Sequence, residues 1–492
     1  MAIDFTLGEQ QRQLQLNARE FVQTVLAPVV READAEPDPL RAFQLTKPAY
    51  IEAYKQGIAF CMLPSEYGGG GLSNVDVVLA AEELCAVDPG FACTILVNGL
   101  GLMPVWYWGT EEQKNRFLRA ATSDPAGEYI VGYAVSEPAG TPGGTANFDT
   151  PMPHPVGIGV TARREGDEYV LNGRKYWPCN VAGWDGEGAN VSIVVVRTEP
   201  EKGGTEGLSA IMLERGTPGV SYKLISKIGH RLTPNAEIVF DNARVPAANL
   251  VEGTRGNGDL LINRNFAWSG PVAGIAAVGV ARSAYEAALE WAKSYTAGGP
   301  HPIIHYQNVG YVLGDVAARI EACRYFCWKT AHYMDRHDYH GELIGAMCKI
   351  HCTELLFDAV YKCMQVVGVN SADKQHLFEK YLREAAILPI YDAGNFGMQR
   401  RRVHGVLASP DFDPRALMDD TAVEFTKAME TIDTIPGHEI PAGVLSHLSF
   451  TTDSAVPPIA NWAGRLSAIA GRQMLHAEYL NTQLRVGHAQ PA

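Results

Sequence analysis

The sequence predicts an α+β fold in which an N-terminal helical domain, a middle antiparallel β domain and a C-terminal four-helix bundle follow one another, with an extra tail behind them. Three observations carry this reading. Helical spacing dominates up to about residue 125; from about residue 126 short β-rich runs alternate with turn signals; after Val245-Pro246 the helical period returns and holds to about residue 408. The domains are accordingly 1–125, 126–250 and 251–412, with 413–492 an additional helical and loop tail.

In order, residues 5–33 place Leu14, Leu16, Phe21, Val22 and Leu26 on one broad apolar face. A second helical segment near 47–60 leads to Pro64-Ser-Glu-Tyr67 and four glycines, Gly68 to Gly71. No buried strand precedes these glycines and no Lys-Ser/Thr follows, so they read as a helix-to-helix turn and not as a phosphate loop. Helices then fill 74–88 and 90–122. Strands are expected at Tyr129-Ile-Val131, Ile158 to Thr161, Glu168 to Leu171, Val191 to Val196, Leu208 to Met212, Val220 to Leu224 and Glu237 to Phe240, with Asn172-Gly173 reading as a hairpin turn. Apolar stripes (Val278, Ala281, Tyr285, Leu289; Val312, Ala317, Ile320) then imply the bundle. In the tail, Asp419 and Asp420 open an amphipathic helix, proline-bearing loops follow, and a last helix carries Trp462, Leu466 and Ile469.

Composition narrows the function class. The chain has 492 residues, is 46% hydrophobic and 20% charged, and carries a formal charge of -14, which argues against a nucleic-acid or anionic-membrane binder. Its most apolar long stretch, Gly270 to Leu289, contains Arg282 and Glu286 and reads as a buried helix. With no export signal visible and nine scattered cysteines, a cytoplasmic protein is expected. Cys323/Cys327 and Cys348/Cys352 each share a helix face; a thiolate metal site is weighed against buried small hydrophobes, and the latter is preferred, so no metal is expected. His332, His337 and His340 read as solvated.

One stretch stands out chemically: Ile387-Leu-Pro-Ile-Tyr-Asp392-Ala-Gly-Asn-Phe-Gly-Met-Gln399-Arg400-Arg401-Arg402. A carboxylate leaving an apolar run is desolvated, which raises its pKa and suits it to act as a base near neutral pH. The alternative is a helix N-cap ahead of a basic helix, and on this stretch alone the cap is the default.

The β region carries Tyr133-Ala-Val135-Ser136-Glu137-Pro138, Gly173-Arg-Lys175-Tyr-Trp177-Pro-Cys179-Asn180 and Lys227-Ile-Gly229-His-Arg231. With the helix–β–helix order, these resemble the acyl-CoA dehydrogenase superfamily of flavoproteins over roughly residues 5–412. Arg41-Ala-Phe-Gln44, Gly99 to Pro104, Gly183-Trp-Asp185, Phe266-Ala-Trp-Ser269 and the Asp392 stretch look most similar to its nitroalkane oxidase branch. The resemblance implies FAD between the β domain and the bundle, reaching a second subunit, and hence a homodimer or homotetramer. It implies Asp392 as base with Ser269 beside it. It further implies flavin contacts from Tyr133, Val135, Ser136 and Cys179, cover from Trp177, and FAD contacts from Gln307, Gln365 and Gly394, with Phe266, Gln399 and Arg400 around the base. The implied activity is oxidation of a small carbon acid; the alternatives are desaturation of an acyl-CoA, a flavin monooxygenase, or a non-catalytic FAD-binding scaffold.

Three positions depart from that pattern. Cys179 replaces a hydroxyl with a weak thiol donor. Ala297 stands where a pyrophosphate-binding Arg is usual, with Lys293, His301 or His305 as substitutes. Gln399 stands where an Arg neighbours the base, so the loss of a cation should leave Asp392 more basic. Arg400 is the candidate to reclaim the role, but one residue turns a helical side chain by about 100°.

Overall fold

The computed structural model describes residues 6–139, 141, 157–337, 341–410 and 412–418. The first helical run breaks into α1 (Glu9–Phe21) and α2 (Ala27–Ala35), joined by a π-helical turn at Val22–Leu26. Then come α3 (Pro39–Leu45), α4 (Lys47–Lys55), α5 (Asn74–Val87), α6 (Pro89–Trp108) and α7 (Glu111–Thr122). The glycine turn connects α4 to α5 as expected, with left-handed backbone at Gly68 and Gly71. Capping explains where α6 and α7 start. Asp88 accepts from Phe91 N at 2.7 Å ahead of Pro89 in the first turn of α6, and Thr110 and Gln113 form a reciprocal capping box on α7.

The β region is a seven-stranded sheet: β1 (Val131–Ala134), β2 (Thr161–Glu165), β3 (Glu168–Cys179), β4 (Val191–Arg197), β5 (Leu208–Glu214), β6 (Val220–Leu224) and β7 (Asn235–Pro246), in the order β1-β4-β2-β3-β7-β6 with β5 on β4. Most pairs are antiparallel as expected, but β1 runs parallel to β4, and β2 touches the end of β4 in the same sense. The Asn172-Gly173 hairpin does not form. Those residues sit inside β3, at a register shift between Leu171 and Gly173 against β7, and the real hairpin turn lies between β2 and β3 at Gly166. An Asn-Gly pair supplies the same backbone freedom to a bulge as to a turn, and pairing with β7 uses it for the bulge. A second shift falls between Tyr176 and Cys179, where Pro178 has no N–H to give the ladder; Trp177 is left-handed there and stands out from the sheet, 46% exposed.

The bundle is α8 (Asn265–Ser294), α9 (Gln307–Arg336), α10 (Glu342–Val367) and a fourth pass that is broken into α11 (Phe378–Ile387) and α12 (Arg400–Ala408). Two apolar segments, Pro89–Trp108 and Leu260–Ser294, are long enough to cross a membrane, but 78% and 67% of their apolar windows are buried inside the protein. The tail helices expected at Asp419 and Trp462, like His340, lie outside the described residues.

Buried charge ties these layers together. Glu82 and Glu83 of α5 meet Arg324 of α9 at 2.9 Å and Arg282 of α8 at 2.9 Å, with Arg19 of α1 at 2.8 Å. Lys175 of β3 bonds the Val135 carbonyl at 2.8 Å and Glu137 at 3.1 Å, fixing the chain just past β1. Lys380 of α11, itself buried, bridges Asp88 at 2.6 Å and Glu384 at 2.9 Å. Replacing Lys380 with Met leaves two buried carboxylates without their cation. It is expected to cost about 3–5 kcal/mol in urea unfolding, with the loss easing as acid neutralises Asp88, whose carboxyl burial holds above its usual range.

Candidate active site

The broken fourth pass of the bundle builds the site. After α11 the chain makes three consecutive left-handed residues, Asp392, Ala393 and Gly394, with φ of 51°, 67° and 55°. For the first two this is strained backbone, and strain of this kind persists only where surrounding contacts impose it. Those contacts are present. Asn395 N donates to the Pro389 carbonyl at 2.9 Å, Gly394 N to Tyr391 O at 3.1 Å, and Gln399 Nε2 to Asp392 O at 2.9 Å. A π-helical segment, Gly394–Gln399, then leads into α12, and neither it nor α12 begins with a side-chain cap. The cap reading of Asp392 therefore fails on geometry: its carboxylate faces α8 and not the start of the following helix.

There it meets Ser269, buried in the first turns of α8, whose hydroxyl lies 2.8 Å from both carboxylate oxygens and 2.9 Å from the Phe266 carbonyl. One hydroxyl proton serves these three acceptors in turn. Burial pushes the Asp392 carboxyl above its usual range, against the opposing pull of Lys349, the Ser269 bond and Arg402.

The cation expected at Arg400 comes from elsewhere. Arg400 turns away to Glu354, 2.8 Å from each of its oxygens, and lies over the Phe396 ring at 4.6 Å. Arg402 instead faces the base. It is buried, bonds the Ile262 carbonyl, Asn263 Oδ1 at 3.3 Å and Gln399 Oε1 at 3.3 Å, and lies 5.9 Å from the Phe266 ring centre. The reason is helical spacing: residue 402 is three on from Gln399 and shares its face, whereas residue 400 does not. Gln399 thus links Arg402 to the Asp392 carbonyl, and its neutrality does not strip the site of positive charge.

A second cation, Lys349 of α10, was invisible to motif reading. It is fully buried; its Nζ donates to Tyr391 O at 2.6 Å and Asn395 Oδ1 at 2.8 Å, on either side of the left-handed turn. Burial pushes its pKa down to about 8, while Asp392 pulls it back up. The one available signal was a lysine within the apolar run Leu343 to Ile350.

From the β domain, Tyr133 is buried against Phe266, ring centres 5.6 Å apart, and donates to Leu261 O at 2.8 Å. Val135 and Ser136 follow on the same segment, held by Lys175 and by Tyr176 N, which donates to Ser136 O at 2.8 Å. Cys179 lies among polar partners. Its sulfur accepts from Asn235 Nδ2 at 3.2 Å and lies 3.8 Å from Cys93 Sγ, and the Cys93 thiol with the nearby Lys227 draws it below the usual thiol range. Four exposed large apolar side chains, Trp177, Ile228, Ile390 and Phe396, lie on the segments that carry these residues. A half-exposed indole, buried aromatics and polarised sulfur make a donor set that suits the flat, partly apolar ring of a flavin.

Gln307 and Gln365 do not join this cluster. Gln365 is sixteen residues beyond Lys349 on α10, about 24 Å along the helix, and is exposed; Gln307 is exposed at the start of α9, bonded to Tyr311. Ala297 is exposed and left-handed in the α8–α9 loop, where the His301 and His305 rings stand 5.7 Å apart. Among the thiols, Cys327, Cys348 and Cys352 gather with sulfurs 3.6–4.0 Å apart in the bundle core, and Cys323 joins only through its carbonyl.

Against known proteins, residues 8–124, 153–243 and 256–407 match the N-terminal, middle and C-terminal domains of acyl-CoA dehydrogenase. The nitroalkane oxidase of Fusarium oxysporum is 33% identical over 434 residues, 84% of this chain and 97% of that protein. The solved Podospora anserina nitroalkane oxidase superposes with a TM-score of 0.77 at 30% identity, covering 85% of this chain and all of that one. Butyryl-CoA dehydrogenase from Megasphaera elsdenii gives 0.72 at 26% identity, covering 83% and 100%.

The two arginines separate experimentally. Arg400→Gln, which breaks a partly exposed pair, is expected to change urea-unfolding stability by less than about 1 kcal/mol. Arg402→Met, which strands buried acceptors, is expected to cost about 2–4 kcal/mol in the same measurement.

Proposed function

The chain belongs to the acyl-CoA dehydrogenase family of flavin-dependent oxidoreductases, and on that premise we propose that it binds FAD and uses Asp392 to take a proton from a small activated carbon acid, with a nitroalkane as the type substrate. The observation that carries this reading is the Ser269–Asp392 pair: a carboxylate held at a strained turn, raised in pKa by burial, with a hydroxyl 2.8 Å away. Burial makes such a carboxylate a stronger base than a solvated one, and Ser269 aims it. FAD, when bound, supplies the two-electron acceptor for the carbon that loses the proton. Tyr133, Val135, Ser136, Trp177 and Cys179 would hold its ring, and Gly394 would border it. Gln307 and Gln365 would serve the flavin of a second copy in a homodimer or homotetramer. The overall reaction takes a primary nitroalkane, O2 and water to an aldehyde, nitrous acid and hydrogen peroxide. Nine unpaired thiols fit a reducing cytoplasm.

Acyl-CoA is the second reading, for which Arg264 or the 400–402 cluster would have to supply the cation. The helix position that commonly offers CoA an arginine is Gly270 here, and even a Cβ at that site would run into the Gly345 carbonyl of α10.

Anaerobic mixing of the yellow protein with nitroethane is expected to bleach its flavin, and butyryl-CoA is expected to leave it unchanged. Bleaching by butyryl-CoA alone would sink the oxidase reading, and a colourless protein that refuses FAD would sink both. Asp392→Asn should slow the bleaching by about 10²–10⁴-fold. Because the base works deprotonated, kcat/KM should rise with pH through the raised Asp392 pKa. Ser269→Ala removes a bond to the charged form and should move that limb further up, by about one unit.

A further inference from the structure

We infer that Lys349 is a positioning residue for the base, the buried cation that holds the Asp392 carboxylate in its charged form and locks the turn that presents it. The inference rests on Asp392 being the base. Lys349 has no exposed surface, and both of its hydrogen-bond acceptors are neutral: the carbonyl of Tyr391 and the side-chain oxygen of Asn395. A buried ammonium without a bonded carboxylate needs a counter-charge close by. The carboxylates near Lys349 are Asp392 and Glu354, and Glu354 is already taken by Arg400.

Its placement is rigid. Thr353 Oγ1 donates to the Lys349 carbonyl at 2.7 Å, and Asn395 Nδ2 donates to Thr353 Oγ1 and Glu354 Oε1, each at 3.0 Å. The ammonium is thereby pinned to residues one before and three after the base. The other groups around the turn do not replace it. Ser269 of α8 is neutral. His230, whose ring is 5.3 Å from that of Tyr391, is pushed down to about 3 by burial and stays uncharged. Arg402 of α12 also acts on Asp392, but less than Lys349 does, and it is bonded to Ile262, Asn263 and Gln399 with Glu342 and Asp259 in its field too. An arginine at 399 would bring a third cation to one carboxylate, beside Lys349 and Arg402.

Two measurements test this. The first is the pH profile of flavin reduction by nitroethane. Lys349→Met, and Lys349→Gln, which keeps N–H donors but no charge, should each move the base limb up by about one unit. Adding Gln399→Arg to Lys349→Met should return at least half of that shift. A limb that stays within 0.3 unit, about the precision of such a profile, in both single variants overturns the proposal. The second needs no substrate: a double-mutant cycle of Lys349→Met and Asp392→Asn in urea unfolding at pH 7. About tenfold or more coupling in the folding constant is expected, and no coupling would reduce Lys349 to packing. Should Lys349→Met fail to fold, Lys349→Gln takes its place in the cycle. If the wild type reduces its flavin with no carbon acid, the functional reading falls while the cycle still decides the pairing.

Discussion

The site depends on how closely two helix backbones approach. α8 and α10 meet at Gly270 and Gly345, where a Cβ on Gly345 would stand 2.7 Å from the Ala267 carbonyl and one on Gly270 would overlap the Gly345 carbonyl. Any side chain at either position would force the helices apart. Only this contact lets Ser269, one residue before Gly270, and Lys349, one turn past Gly345, serve the same carboxylate. Gly270 therefore has a packing reason that also closes off a cation position on α8.

The second requirement is that the fourth helical pass be interrupted. A continuous helix would bury Asp392 or expose it according to its phase; a left-handed turn of three residues instead presents it to α8 while spending the freed backbone groups on Lys349 and Gln399. The strain of two non-glycine left-handed residues is offset by these bonds. Buried charge acts in the same way within the β domain, at Lys175 with Glu137, and between the bundle and the N-terminal helices, at Lys380 with Asp88, where it fixes orientation that apolar packing alone leaves loose.

The environment of Asp392 is a balance between burial, which favours the acid, and two cations with one hydroxyl, which favour the carboxylate. The balance leaves the carboxyl above its ordinary range. Gln399 takes part through backbone and Arg402 contacts, so its effect is geometric more than electrostatic.

Much of this was legible in the residues by themselves. Hydrophobic period separated helices from strands, because each element buries one face and the spacing of that face is local information. Asp392 stood out by its apolar run, and Ser269, Tyr133 and Cys179 were singled out through the family resemblance of their segments. What the sequence could not decide was direction and distance. Asn172-Gly173 allowed a turn or a bulge, and only pairing with β7 chose the bulge. Arg400 and Arg402 differ by two residues, and only the helix phase after the broken turn sent one to Glu354 and the other toward the base. Lys349 lies 43 residues from Asp392 in an apolar helix with no motif around it; a charge there acquires meaning only when tertiary packing brings a second helix to it.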